Sequence, residues 1–236
     1  MLKANRDFFF QKLNEMFPDA VTELNYASPF QLLMAVTLSA QTTDKQVNKV
    51  TDTLFMKIHG PHDVVRMWHE ELENSIKLIG LYKGKANNIW KTSNILIDEK
   101  YIERVKNTIQ YEHAHTLYEQ YGYYIPDTLK ELEKLHGVGE KTAKVVAHSL
   151  YGAPYIAVDT HVHRVSNRIW LVKTNSPLQT SKVIEKKVWK DNIGSAHHTL
   201  VLFGRYHCKA QKPMCTQCPF TKFCKYYKKT INHSNH

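Results

Sequence analysis

The sequence predicts an all-α protein, and three observations carry that prediction. Apolar residues recur at intervals of three and four, as in Phe8, Leu13 and Phe17, in Leu32, Leu33, Val36 and Leu38, and in Val145, Val146 and Leu150; this is the period of one helix face. Sustained β-branched alternation, the mark of strands, is scarce. Proline and glycine break the pattern at Pro18, Ser28-Pro29, Gly60-Pro61, Gly80, Gly122, Pro126-Asp127, Gly137, Gly152, Pro154 and Pro177, which predicts roughly ten helices joined by short turns. The 236 residues suffice for a sizeable core, in one large domain or two small ones.

Taken in order, the opening MLKANRDFFFQKLNEMF alternates charge with apolar residues and lacks the apolar core of a signal peptide. It reads as an amphipathic helix of a cytoplasmic protein. No later stretch approaches the ~20 uninterrupted apolar residues of a membrane helix, so no membrane partner is expected. Residues Leu38 to Asp44, LSAQTTD, form a polar turn between two apolar helical stretches. The charge-rich run from Tyr101 to His115 reads as a surface helix or an inserted loop, with His113 and His115 as solvated side chains rather than metal ligands.

Residues 135 to 143, LHGVGEKTA, place a glycine turn between a helix ending near Leu135 and a second entered at about Glu140. Gly137 and Gly139, with Val138 between them, permit a tight backbone whose free N–H groups and helix N-terminus can face a phosphate. That is a helix-hairpin-helix, a device that holds nucleic-acid backbone without reading sequence. Lys141 lies in the first turn of the second helix. It can contact phosphate, or, if partly buried and neutral, its amine can attack a sugar C1′ and form a Schiff base.

In VDTHVHRV, Asp159 stands just before an apolar-periodic stretch, the place of a helix N-cap. A carboxylate at the mouth of a cleft can also stabilise the cationic sugar that develops as a glycosidic bond breaks, or take a proton from a lysine. His161 and His163 read as packing or capping residues. All four cysteines fall within seventeen residues, as Cys208-x6-Cys215-x2-Cys218-x5-Cys224. In a cytoplasmic protein two disulfides are not expected. Four close thiolates suit zinc or a [4Fe-4S] cluster, and spacing alone does not choose between them.

The formal charge of +10 is concentrated: residues 173 to 236 hold twelve Lys or Arg against two acids, and the remainder of the chain is neutral. A one-sided basic surface concentrates a polyanion, which makes nucleic acid the leading partner over anionic lipid.

Together, LHGVGEKTA around Lys141, VDTHVHRV around Asp159 and the cysteine pattern resemble the endonuclease III family of helix-hairpin-helix DNA glycosylases. The resemblance extends to TELNYASPFQLLMAVTLSAQTTD (22 to 44) and IGLYKGKANNI (79 to 89), and so to nearly the whole chain. It implies two helical domains with a DNA-binding cleft between them: a six-helix domain with the hairpin over residues 22–153, and a smaller iron-sulfur domain over 1–21 and 154–236. The cysteines would hold one [4Fe-4S] cluster. Lys141 would be the nucleophile and Asp159 its acidic partner, while Gln41 and Leu81 would fill the space left by a nucleotide flipped out of the duplex. The implied activity is base-excision repair, in which oxidised pyrimidines are removed and the strand is cut 3′ to the abasic site by β-elimination. Neither a divalent metal nor a nucleotide cofactor is required. The implied partner is double-stranded DNA carrying a damaged base or abasic site, bound by a monomer that in a bacterium would associate with the nucleoid.

Two departures from the family pattern are His136, where the hairpin usually has proline, and the segment from about Asp98 to His115, which reads as an insertion. Two rival readings are a noncatalytic metal-stabilised DNA-binding protein and a monofunctional mismatch adenine glycosylase. The second lacks the lysine and carries a further C-terminal domain, whereas this chain has Lys141 and runs only twelve residues past Cys224.

Overall fold

The structure, a computed structural model, describes residues 1–188 and 190–234, and the side chains of all of these except 190–193 and 231–234. The described residues form α-helices and contain no strand. In chain order the helices are α1 (Lys3–Met16), α2 (Pro29–Leu38), α3 (Asp44–Leu54), α4 (Pro61–Arg66), α5 (His69–Ser75), α6 (Tyr82–Leu96), α7 (Glu99–Lys106), α8 (Glu112–Tyr121), α9 (Leu129–Leu132), α10 (Glu140–Tyr151), α11 (Thr160–Arg168), α12 (Pro177–Ile184), α13 (Lys190–Leu202) and α14 (Lys225–Ser234). No described helix is long and apolar enough to cross a membrane.

Fourteen helices exceed the expected ten because several breaks contain neither proline nor glycine. Met67-Trp68 separates α4 from α5, and Ile97-Asp98 separates α6 from α7. At the second of these Asp98 acts as the stop-and-start signal, its side chain accepting a hydrogen bond from the Tyr101 N–H at 2.8 Å. Such a cap satisfies an N–H that the helix itself cannot.

The chain divides into two compact units, Glu23–Ala153 and Met1–Thr22 with Pro154–His236. In the first, α2 is buried along all ten residues, as the mainly apolar composition of PFQLLMAVTL requires of a central helix. Ser28 caps it, accepting from the Gln31 N–H, and Pro29 occupies the first helical position, where a missing N–H costs nothing. Helices α3, α6 and α10 pack around α2, and α4 and α5 pack on α6.

The segment expected as a surface helix or inserted loop is helical, formed by parts of α7 and α8, and has a small core of its own. Val105 and Ala114 are buried with Tyr124 and Tyr151. Buried Asp127 fastens the connection, its Oδ2 accepting from the N–H groups of Gln110 at 2.7 Å and Tyr111 at 2.8 Å. The charges lie outward, and His113 and His115 are exposed.

In the second unit α1 packs against the C-terminal segment. Phe9, Phe10 and Leu13 share one core with Val162, Val165, Leu200, Phe203 and Phe220. Phe9 meets Phe220 edge to face with centroids 4.7 Å apart, the arrangement that aligns ring edges with ring faces. After α13 the backbone widens into a π-helical turn, Phe203–His207, which Cys208 closes through its N–H to the Phe203 carbonyl at 2.7 Å. Gly204 lets this turn lie close against α11, since a Cβ there would lie 2.8 Å from the His161 Cβ.

Candidate active site

The hairpin at 135–140 lies in the first unit, and two separate constraints demand glycine at its centre. Gly137 has φ +79°, and a Cβ on it would meet the Asn88 side chain at 3.0 Å. Gly139, by contrast, has an ordinary extended backbone as N-cap of α10 and open space around its Cβ position. Glycine there offers no side-chain cap, leaving the start of α10 accessible to an external acceptor. Val138 serves the hairpin from inside: it is 6% exposed, and its N–H is used on the Leu135 carbonyl. His136 has its carbonyl tied to α6 by the Thr92 hydroxyl at 3.2 Å.

Lys141 is exposed in the first turn of α10, not partly buried as its chemistry suggested. One turn on, Lys144 is buried and paired to Glu140 at 3.2 Å. Of the two neighbouring lysines on this helix, Lys141 is therefore the one presented to solvent.

Gln41 and Leu81 share an uncommon property. Each is exposed, and each has a left-handed backbone, with φ of +57° and +60°, a conformation costly for side chains with a Cβ. Leu81 is 70% exposed despite being apolar. Sequence reasoning missed the residue that joins them. Lys85 is only 7% exposed, and its ammonium donates to the carbonyls of Leu38 at 2.8 Å and Ala40 at 2.7 Å and to the Thr42 hydroxyl at 3.1 Å. Burial lowers its pKa from the usual lysine value. The available signal was its place in a charged stretch, LYKGKAN, at the start of an otherwise half-apolar helix.

In the second unit Asp159 is the N-cap of α11, its Oδ1 accepting from the Val162 N–H at 2.8 Å. The side chain remains partly exposed. His161 and His163 hold polar side chains: Nδ1 of His161 lies 3.1 Å from Arg164 Nη2, and Nδ1 of His163 lies 2.7 Å from the Thr180 hydroxyl.

All four cysteines line one pocket, together with Arg168, Phe203 and Phe220. The loop leaving Cys208 is held by two arginines. Arg164 donates through Nε to the Cys208 carbonyl at 3.0 Å, and Arg168 Nη1 lies 3.5 Å from the Cys208 Sγ. As free thiols, Cys215 and Cys224 are raised above the usual value and Cys218 is pushed up to about 11, in each case by burial first; at Cys224 the backbone N–H groups of Tyr226 and Tyr227 oppose the rise. A metal centre would overcome this by taking the cysteines as thiolates, its positive charge compensating theirs.

Residues 34–190 match the model of the HhH-GPD superfamily of base excision DNA repair proteins. Endonuclease III of Bacillus subtilis (strain 168) is 44% identical over 220 residues, 93% of this chain and 91% of that protein. Among solved structures, a non-covalent endonuclease III–DNA complex aligns with a TM-score of 0.81 at 41% identity, covering 98% of this chain and 99% of the other. A trapped endonuclease III–DNA covalent intermediate aligns with a TM-score of 0.79 at 42% identity, covering 98% and 100%. The protein therefore belongs to the endonuclease III family of the HhH-GPD superfamily.

Proposed function

We propose that the chain is a base-excision repair enzyme, a DNA N-glycosylase for oxidised pyrimidines that is also an abasic-site lyase. The observation that carries this reading is the match over nearly the full length of both chains to an endonuclease III caught in a covalent intermediate with DNA. A covalent intermediate requires a nucleophile, and the exposed Lys141 at the head of α10 is the side chain available beside a phosphate-binding hairpin.

The hairpin, through the open N-terminus of α10 and the backbone at Gly137 and Gly139, holds the DNA backbone. Gln41 and Leu81 occupy the space left when the damaged nucleotide turns out of the duplex. Lys141 gives up a proton to a base and its Nζ attacks C1′; Asp159 is the carboxylate assigned to acid-base work or to steadying the cationic sugar. The C1′–N bond breaks, its electron pair leaves with the base, and the base takes a proton. The sugar opens to an imine on Nζ. Loss of the C2′ proton then expels the 3′ phosphate as the C3′–O bond breaks, and water hydrolyses the imine to free Lys141.

Glu23–Ala153, which holds α2 to α10, is then the hairpin domain, and Met1–Thr22 with Pro154–His236 the cluster domain. Cys208, Cys215, Cys218 and Cys224 would hold one [4Fe-4S] cluster, which supplies a structural centre and no step of the reaction. Their fit rests on geometry. The four cysteines line one pocket, and four thiolates are the ligand set of a cubane cluster, one to each iron.

The test is borohydride trapping on a duplex with an oxidised pyrimidine, comparing the unaltered protein with Lys141→Gln. The adduct is expected from the first and absent from the second, with DNA binding intact in both. No adduct from the cluster-loaded unaltered protein, on this duplex or on an abasic site, overturns the lyase assignment.

A further inference from the structure

We propose that Lys85 is a positioning residue that locks the Gln41 turn to the Leu81 turn, so that both strained side chains enter the duplex as one rigid wedge. The proposal rests on the reading of Gln41 and Leu81 as the residues that replace a flipped nucleotide. Its ground is a set of contacts from a single side chain. A lysine ammonium has three N–H donors, and Lys85 has three acceptors within 3.1 Å: the Leu38 and Ala40 carbonyls and the Thr42 hydroxyl. These acceptors bracket Gln41 on both sides. The same residue's backbone N–H donates to the Leu81 carbonyl at 3.1 Å, so Lys85 grips one turn by its side chain and the other by its main chain. A second tie runs parallel, Gln46 Nε2 to the Leu78 carbonyl at 3.3 Å.

Neither Gln41 nor Leu81 is a residue type that favours its own backbone conformation. A non-glycine residue in the left-handed region persists only where its surroundings over-determine it, and Gln41 and Leu81, with φ of +57° and +60°, are both exposed and gain little from packing. A buried cation needs its donors satisfied. With its hydrogen bonds saturated by the Gln41 turn, Lys85 cannot let that turn relax without stranding its own charge. The strain is thereby held in place before DNA arrives, and extrusion of a base does not have to order the wedge.

The experiment uses the full-length, cluster-loaded protein and two substrates. One is a duplex with an oxidised pyrimidine, whose excision requires the gap to be filled. The other is a single-stranded abasic oligonucleotide, which presents Lys141 with C1′ and leaves no gap. Lys85→Met keeps length and apolar stem but removes the donors. It is expected to lose on the order of tenfold or more in single-turnover excision from the duplex, since misplacement on the scale of an ångström costs that much, while borohydride trapping on the single strand stays within about twofold. Combined with Gln41→Ala and Leu81→Ala, it should cost no more than those two substitutions alone, because all three remove one device. Should Lys85→Met fail to fold, Thr42→Val removes a single acceptor and the same ratio of the two substrates is read.

Loss on both substrates in proportion, or a loss that adds in full to that of the wedge pair, makes Lys85 a general core residue and overturns the proposal. Normal duplex excision by Lys85→Met, with Gln41→Ala and Leu81→Ala defective, overturns the clamp alone. Normal excision by the Gln41→Ala and Leu81→Ala pair overturns the wedge reading on which the clamp depends.

Discussion

Leu81 sits at φ +60° with 70% of its surface exposed, so strain of roughly 1–2 kcal/mol is not offset by burial. Leu81→Gly should therefore make the protein more stable, by up to about 1 kcal/mol once the extra freedom of glycine in the unfolded chain is counted. Excision from duplex DNA should fall at the same time. Denaturant unfolding and single-turnover excision measured on one preparation read both effects; a variant less stable than the original would show that the leucine packs against something. Gly137 is the opposite case. With φ +79° and Asn88 within 3.0 Å of the added methyl, Gly137→Ala should lose about 1–2 kcal/mol and weaken binding to damaged and undamaged duplex alike, because the hairpin contacts backbone and not bases.

At the scale of elements, α1 and α12 illustrate two ways in which the second unit depends on burial. Phe9 is fully buried and meets Phe10, Phe203 and Phe220 edge to face, so Phe9→Ala should cost about 3–5 kcal/mol and detach α1 from the segment that bears the cysteines. His163 of α11 faces the Thr180 hydroxyl of α12, and burial lowers its pKa from 6.5. Above that value it is neutral folded or unfolded and contributes no pH dependence. Below it the unfolded chain takes up the proton first, so stability falls as pH falls. Unfolding midpoints across the acid range should decline less steeply for His163→Gln than for the unaltered protein. Elements of this kind were legible where local chemistry decides: Ser28-Pro29 marked the start of α2, and Asp159 the cap of α11. The α7–α8 segment was not, because its charges outnumber the few apolar residues, Val105 and Ala114, that fit it to Tyr124 and Tyr151. The left-handed backbones at Gln41 and Leu81 were illegible for a different reason. Neither residue favours that conformation, and the Lys85 bonds between the two turns join residues 43 to 47 apart in sequence.

For the whole molecule the decisive quantity is where the charge lies. Twelve Lys or Arg stand against two acids in residues 173–236, while the rest of the chain is neutral, so phosphate contacts should concentrate on the unit that holds the cysteines. Lys209, Lys212 and Lys222 are exposed between or beside those cysteines. Lys225 is exposed too, but its ammonium lies 3.1 Å from the centroid of the Trp170 ring and is already engaged. Each phosphate neutralised contributes about 0.9 to the slope of log K against log salt. Replacing Lys209, Lys212 and Lys222 together by glutamine should therefore flatten that slope by up to about 3, weaken damaged and undamaged duplex equally, and leave the ratio between them unchanged. Titration at several salt concentrations reads the slope directly. If it does not move, DNA does not lie along the cysteine loop, and the hairpin with its own lysines has to supply the electrostatic contacts. If the slope falls and the ratio falls with it, these lysines also help to distinguish the lesion. A smaller slope at constant ratio assigns the two tasks to different parts of the chain, attraction to the basic C-terminal segment and selection to the turns at Gln41 and Leu81.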